Sequence, residues 1–173
     1  MITGRPLFTT EQIRDKVVEL AGTMSVDYEG KEILALGILK GALIFFADII
    51  RALKLPVTVD FFVASSYVKT VSTGDISTYY EPREAIKGKN VLLIDDIIDT
   101  GISLDRIREN ILSQSPASLK ICVLLDKKER RVKEVPLDYV GFNIPDQFVV
   151  GYGLDYENRY RNLPYIAVFK KEN

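Results

Sequence analysis

The chain has 173 residues, 47% of them hydrophobic and 27% charged, a balance that suits one globular core and excludes a largely disordered chain. Lys and Arg number 23 against 24 Asp and Glu, so a formal net charge of -1 argues against a surface that coats nucleic acid, and any anion site must be local. Histidine is absent, which removes Ser-His-Asp and Cys-His catalysis, imidazole-based zinc sites and the commonest general base at neutral pH.

Thr9 with Gln12 fits a capping box, and Ile13, Val17, Leu20, Ala21 and Met24 follow at helical spacing, which predicts an opening amphipathic helix of structural role. Ile33 to Leu39 is a buried-strand candidate that ends in Lys40-Gly41 before an apolar helical segment, Ala42 to Leu53. Lys40 thus stands at a strand's carboxyl end, where a cation beside a glycine suits a phosphate group; read alone, it is equally a solvated loop lysine. Val57 to Ala64 predicts a further strand. The polar stretch that follows, Ser65 to Lys89, is long enough to expect a functional loop such as a lid, with Tyr79, Tyr80 and Glu81 able to form a short antiparallel pair within it.

Val91 to Ile94 reads as a strand buried on both faces, and it runs into Asp95-Asp96 where such a strand leaves a parallel sheet. Asp99-Thr100-Gly101-Ile102-Ser103 then turns into a helical pattern over Leu104, Ile107, Ile111 and Leu112. Backbone N–H groups at a helix start, two hydroxyls and a glycine suit a phosphate, and the neighbouring carboxylates suit a hydroxylated sugar or an oxygen-bound divalent metal. The same residues also read as a core strand followed by a capped helix with solvated acids.

Leu119 to Leu125 resumes the sheet with Cys122 inside it, a buried strand residue rather than a nucleophile, and Asp126-Lys127 marks its end. Lys128, Arg130, Arg131 and Lys133 form a basic run expected to be solvated, which leaves Lys127 alone in position for a site role. Short strands are expected at Tyr139–Phe142, Phe148–Tyr152 and Tyr165–Phe169, with a turn at Ile144-Pro145-Asp146. Neither a nucleoside-triphosphatase loop nor a dinucleotide fingerprint fits, since Tyr156 stands where the third glycine of Gly151-Tyr152-Gly153 would fall. The N-terminus lacks the apolar core of a secretory signal, no run reaches transmembrane length, and a single cysteine fits a reducing, cytoplasmic setting. No repeat or linker divides residues 1–173, so one domain is expected.

Taken together, these motifs resemble the type I phosphoribosyltransferases, and among them the hypoxanthine-guanine phosphoribosyltransferases. Leu93 to Ser103 is similar to the family's phosphoribosyl pyrophosphate loop, Leu39-Lys40-Gly41 to its pyrophosphate loop and Ser66-Tyr67 to its mobile lid. Lys127 resembles the lysine that reads the purine, Asp146 to Asp155 the base-binding segment, and Arg161 the arginine beyond it. The resemblance implies an α/β fold, a central mostly parallel sheet flanked by helices with a small base-binding hood. It also implies transfer of ribose 5-phosphate from phosphoribosyl pyrophosphate to a 6-oxopurine.

In that reading Asp99 to Ser103 (Asp99, Thr100, Gly101, Ile102, Ser103) holds the 5-phosphate, and Asp95 and Asp96 face the ribose hydroxyls and Mg²⁺. Lys40, Gly41, Ser66, Tyr67 and Arg161 meet pyrophosphate, Asp155 helps place a second metal ion, and Asp99 takes the proton from purine N7. Lys127 selects a 6-oxo over a 6-amino group because it only donates, Phe148, which read alone is a core aromatic, stacks on the ring, and backbone groups of Val149 and Asp155 meet the pyrimidine edge. The resemblance further implies a homodimer or homotetramer, with no nucleic-acid or membrane partner. A related regulator type that binds RNA usually lacks an acid at the place of Asp99, so its presence favours the purine enzyme. Asp95 departs from relatives that carry Glu there, which shortens the reach to the ribose and keeps the charge.

Overall fold

The computed structural model describes residues 1–2, 4–64 and 78–170, and its first helix is α1 (Thr10–Asp27). Thr9 Oγ1 accepts the Gln12 N–H at 3.3 Å and Gln12 Oε1 accepts the Thr9 N–H at 2.9 Å, which completes the expected capping box. Ile13, Val17, Leu20, Ala21 and Met24 form its buried face, as their spacing requires.

β1 (Ile33–Leu39), α2 (Leu43–Ala52) and β2 (Val57–Ala64) make a first parallel unit, paired from Ile33↔Val57 to Leu39↔Val63. β3 (Thr78–Tyr80) pairs antiparallel with β2, so the short strand expected inside the polar stretch joins the edge of the main sheet instead. β4 (Asn90–Ile98), α3 (Ile102–Ser113), β5 (Ser118–Asp126) and β6 (Tyr139–Asn143) continue on the other side of β1. The resulting order is β3-β2-β1-β4-β5-β6, in which β2, β1, β4, β5 and β6 run parallel.

Strand side chains alternate between faces, and both faces of this sheet are covered. Leu92 and Ile94 of β4 join Ala35, Cys122 and Leu124 beneath α1 and α2. Val91 and Leu93 join Leu34, Leu36, Ile121 and Val123 on the α3 side. Cys122 is fully buried as expected, and burial pushes its thiol well up from its ordinary value. Leu104, Ile107 and Ile111 bury the inner stripe of α3, whereas Leu112, expected on that stripe, is 41% exposed. It follows Ile111 directly, about 100° further round the helix.

A separate small sheet pairs β7 (Val149–Val150) antiparallel with β8 (Ala167–Val168), and bridges from Ile2 to Phe169 and from Phe8 to Ile166 tie the N-terminal residues to it. This is the expected hood. Its first strand is shorter than the expected Phe148–Tyr152, because Gly151, Tyr152 and Gly153 adopt φ of 101°, 50° and 100° and leave extended geometry. Among the described residues no helix is long and apolar enough to cross a membrane.

Candidate active site

β2 leaves β1 on one side and β4 lies on the other, so the order reverses between β1 and β4 and a crevice opens at their carboxyl ends. β4 outlasts its neighbour. The last β1–β4 pair is Gly37↔Ile94, while β4 goes on pairing with β5 as far as Ile98↔Asp126. Asp95 and Asp96, expected where the strand leaves the sheet, therefore lie within the strand, on the stretch that β1 no longer covers.

The loop after β1 fills that gap. A side chain at residue 41 would overlap the Asp96 carboxylate, so glycine is what lets the Lys40–Gly41 backbone approach the acid. The Leu39–Lys40 peptide is cis. Lys40 is exposed and makes no ion pair among the described residues. From the far side, Gly153 packs against the Gly41 carbonyl, where a Cβ would collide with it. Arg161 locks this junction: Nη1 donates to the Gly153 carbonyl at 2.6 Å and Nη2 pairs with Asp155 Oδ1 at 2.6 Å. The other Asp155 oxygen accepts the Asn158 N–H at 2.8 Å. Residues from β1, β4 and the segment after β7 thus meet at one place.

Asp95 Oδ1 accepts the Asp96 N–H at 3.0 Å. Burial holds Asp95 well above the usual carboxylate range, and the Asp96 charge beside it adds to the effect. Burial also raises Asp96, although hydrogen bonds from Asp95 and the backbone and the charge of Arg161 pull it part of the way back. Two adjacent carboxylates that resist ionisation are a site that a cation or a set of hydroxyl donors would relieve.

Beyond β4, Gly101 precedes α3 in left-handed conformation, φ 84°, with no side-chain cap. The first N–H groups of α3 are therefore left to an outside acceptor. Thr100 Oγ1 makes only a long contact, 3.5 Å, with the Ile102 N–H. Ile102 and Ser103 lie in the first turn. Asp99 stands at the entrance: Oδ2 pairs with Arg130 Nη1 at 3.2 Å, and Oδ1 is buried without a hydrogen-bond partner among the described residues. An orphaned carboxylate oxygen beside an anion cradle is placed to accept a proton from a bound ligand.

Lys127 follows β5, and its N–H donates to the Ile98 carbonyl at 3.0 Å, which ties it to the end of β4. It is 5% exposed, and its ammonium has no protein partner among the described residues. Buried amines without partners are rare, and a ligand acceptor would supply what is missing. In the hood, Val149 is buried within β7, whereas Phe148 is 42% exposed and meets Tyr156 edge-on at 5.8 Å between ring centres. An exposed ring held by aromatic neighbours offers a free face. Ser66 and Tyr67 lie outside the described residues.

The basic run after Lys127 is exposed at Lys128, Arg130 and Lys133, as its composition suggests, but Arg131 departs from it and turns inward. Arg130 pairs with Asp99, Arg131 is buried in an ion pair with Asp126, and Lys133 Nζ lies 3.2 Å from Asp105 Oδ2. The burial of Arg131 has a physical cause. Asp126 is buried at the end of β5 and requires a compensating cation, which the next turn supplies. An apolar run closing on an acid and followed at once by several bases was the available signal. Gly153 was missed as well; only the fold brings it to Gly41.

A family model of the phosphoribosyl transferase domain matches residues 7–157. Over 165 residues the chain is 44% identical to the hypoxanthine phosphoribosyltransferase of Haemophilus influenzae, covering 93% of this chain and 92% of that protein. It is 44% identical to the hypoxanthine-guanine phosphoribosyltransferase of Lactococcus lactis, covering 96% and 91% of the two chains. A crystal structure of a hypoxanthine-guanine phosphoribosyltransferase from Bacillus anthracis superposes with a TM-score of 0.92 at 44% identity, covering 98% of this chain and 100% of that one.

Proposed function

The chain belongs to the phosphoribosyltransferase family, and from that premise we propose that it transfers the 5-phosphoribosyl group of phosphoribosyl pyrophosphate to hypoxanthine or guanine, giving IMP or GMP and pyrophosphate. It is a pentosyltransferase of purine salvage. The observation that carries the reading is the junction at the sheet's switch point, where Gly41 packs on the Asp96 carboxylate under Arg161 and beside a helix start without a side-chain cap.

As the bond from ribose C1 to pyrophosphate breaks, positive charge grows on the sugar and negative charge on the leaving group. Backbone and hydroxyl donors of Asp99 to Ser103 hold the 5-phosphate, which anchors the sugar. Lys40, Gly41 and Arg161 receive the pyrophosphate, a role assigned to Ser66 and Tyr67 as well. Asp95 and Asp96 orient the ribose hydroxyls. Lys127 donates to the purine 6-oxo group, Phe148 stacks on the ring, and Val149 and Asp155 meet its pyrimidine edge through their backbones. Asp99, with its unpaired Oδ1, takes the N7 proton as the new bond to C1 forms.

The acid pair fits Mg²⁺. Two carboxylates whose ionisation is opposed by burial are relieved by a hard cation. This ion takes one or two carboxylates and completes its shell with substrate oxygens and water. Asp95 and Asp96 would hold it, with Asp155 serving a second ion, and when bound it neutralises charge on the pyrophosphate. Cytoplasmic residence, action as a single domain over residues 1–173 and assembly as a homodimer or homotetramer belong to the same reading.

The test is an assay of purified protein with phosphoribosyl pyrophosphate, Mg²⁺ and hypoxanthine, guanine, xanthine, adenine or uracil in turn. Turnover of hypoxanthine or guanine is expected. Turnover of neither overturns the reading.

A further inference from the structure

The face of the phosphate loop turned away from the crevice is built by the segment that was expected to be solvated. Arg131 Nε donates to the Asp99 carbonyl at 3.3 Å, and the N–H groups of Val132 and Lys133 both donate to the Thr100 carbonyl at 2.9 Å. In a trans peptide the C=O and N–H point to opposite sides. Carbonyls pinned toward residues 131–133 therefore turn the next two N–H groups, those of Thr100 and Gly101, the other way. Neither N–H has a protein acceptor among the described residues, and two successive N–H groups aimed together form an anion-binding concavity.

The pin is itself held from the sheet. Arg131 pairs through Nη2 with Asp126, the last residue of β5, and both side chains are buried. A guanidinium can serve Asp126 and the Asp99 carbonyl at once because its donors form a rigid fork; a lysine ammonium has the charge without that fork. Gly101 completes the fit, since a Cβ there would strike the Lys133 carbonyl oxygen.

We propose that Arg131 is a positioning residue that sets the Thr100 N–H for the 5-phosphate, acting through the Asp99 carbonyl and braced by Asp126, beside the Gly101 N–H that the Val132 and Lys133 amides orient through the Thr100 carbonyl. The proposal rests on the phosphoribosyl reading of the crevice. It assigns no contact between Arg131 and substrate. Its effect is selective for ligands that carry the 5-phosphate, because the pyrophosphate junction at Gly41 and Arg161 is built from other elements.

The test compares two probes, ribose 5-phosphate and inorganic pyrophosphate, titrated calorimetrically against wild type, Arg131→Lys and Arg131→Gln. Arg131→Gln leaves Asp126 buried without its charge partner and risks the fold; Arg131→Lys keeps the charge and is the decisive variant. We expect Arg131→Lys to bind ribose 5-phosphate at least tenfold more weakly and pyrophosphate within twofold of wild type, and to raise KM for phosphoribosyl pyrophosphate more than it lowers kcat. Ribose 5-phosphate affinity within twofold of wild type overturns the proposal, as does an equal loss for both probes, which marks a general structural role. Failure of wild type to bind ribose 5-phosphate overturns this proposal and the reading it rests on together. Normal ribose 5-phosphate binding without purine turnover sinks the assigned reaction alone.

Discussion

The two ends of the parallel sheet treat charge in opposite ways. At the amino end, Asp27 from the close of α1 receives Lys120 Nζ at 2.6 Å and the Tyr139 hydroxyl at 2.6 Å, and Lys120 Nζ also donates to Tyr139 Oη at 3.0 Å. The same ammonium lies 5.4 Å and 5.3 Å from the ring centres of Tyr28 and Tyr139. Each polar group there is answered by another group of the protein. At the carboxyl end, the acid pair is held above its ordinary range, Asp99 keeps an unpaired oxygen and Lys127 has no protein partner among the described residues. The helix starts differ likewise, since α1 closes its first N–H groups with a capping box and α3 leaves them without a side-chain cap. One end answers its charged groups within the protein, and the other leaves several of them without a protein partner among the described residues.

Substitutions should separate the two ends. The largest effect is expected for Asp99→Asn, which removes the proposed base while keeping the shape: kcat falls roughly 10²- to 10⁴-fold, with little change in KM for phosphoribosyl pyrophosphate. Steady-state kinetics with hypoxanthine check this, and equal losses in binding and turnover would make Asp99 a binding residue. Next, Lys127→Ala removes the charged hydrogen bond proposed between its ammonium and the base, which predicts a fall of about 10- to 100-fold in kcat/KM for hypoxanthine and a narrowed preference over adenine. Unchanged base selectivity would take Lys127 out of that role.

Smaller effects concern stability and run in opposite directions at the two ends. A carboxylate whose folded pKa is raised contributes most at acid pH and loses that contribution as pH rises through the folded value. Wild type therefore bears the cost of an ionised Asp95 at alkaline pH, and Asp95→Asn should raise Tm by a few degrees at pH 8 in chelator-containing buffer, on the order of 1 kcal/mol. The gain should shrink toward pH 4, and activity should fall. A lower Tm for the variant at pH 8 would show that the pair supports the fold rather than burdening it.

At the amino end, hydrogen bonds from Lys120 and Tyr139 lower Asp27, so its contribution is present above the ordinary carboxylate range and is lost as pH falls through the depressed value. Lys120→Met should cost about 1 kcal/mol at pH 7, because these groups are about a third exposed, and lower Tm by a few degrees with kcat/KM unchanged. Melting curves should converge as acid removes the Asp27 charge. A marked loss of activity would break the division between the two ends.

What could be read from the chain alone followed from local rules. Periodicity identified the buried face of α1, because a helix repeats every 3.6 residues whatever it packs on. The apolar runs of β1, β4 and β5 marked strands covered on both faces, and the acids, hydroxyls and glycine from Asp95 to Ser103 marked the passage from β4 to the start of α3. Phe148–Tyr152 misled, because left-handed conformations at residues 151–153 answer to neighbours that no period-two pattern records.

By itself, then, the sequence determined most of the helices and strands and most of the faces they bury, all properties of residues a few positions apart. Only the tertiary structure decided that Gly41 rests on Asp96, that Gly153 rests on Gly41, and that Arg131 turns inward to brace the Asp99 carbonyl. Those contacts join distant parts of the chain, and they depend on strand order and on β4 outrunning β1 by a few residues, which are set by how the whole sheet packs rather than by any local pattern.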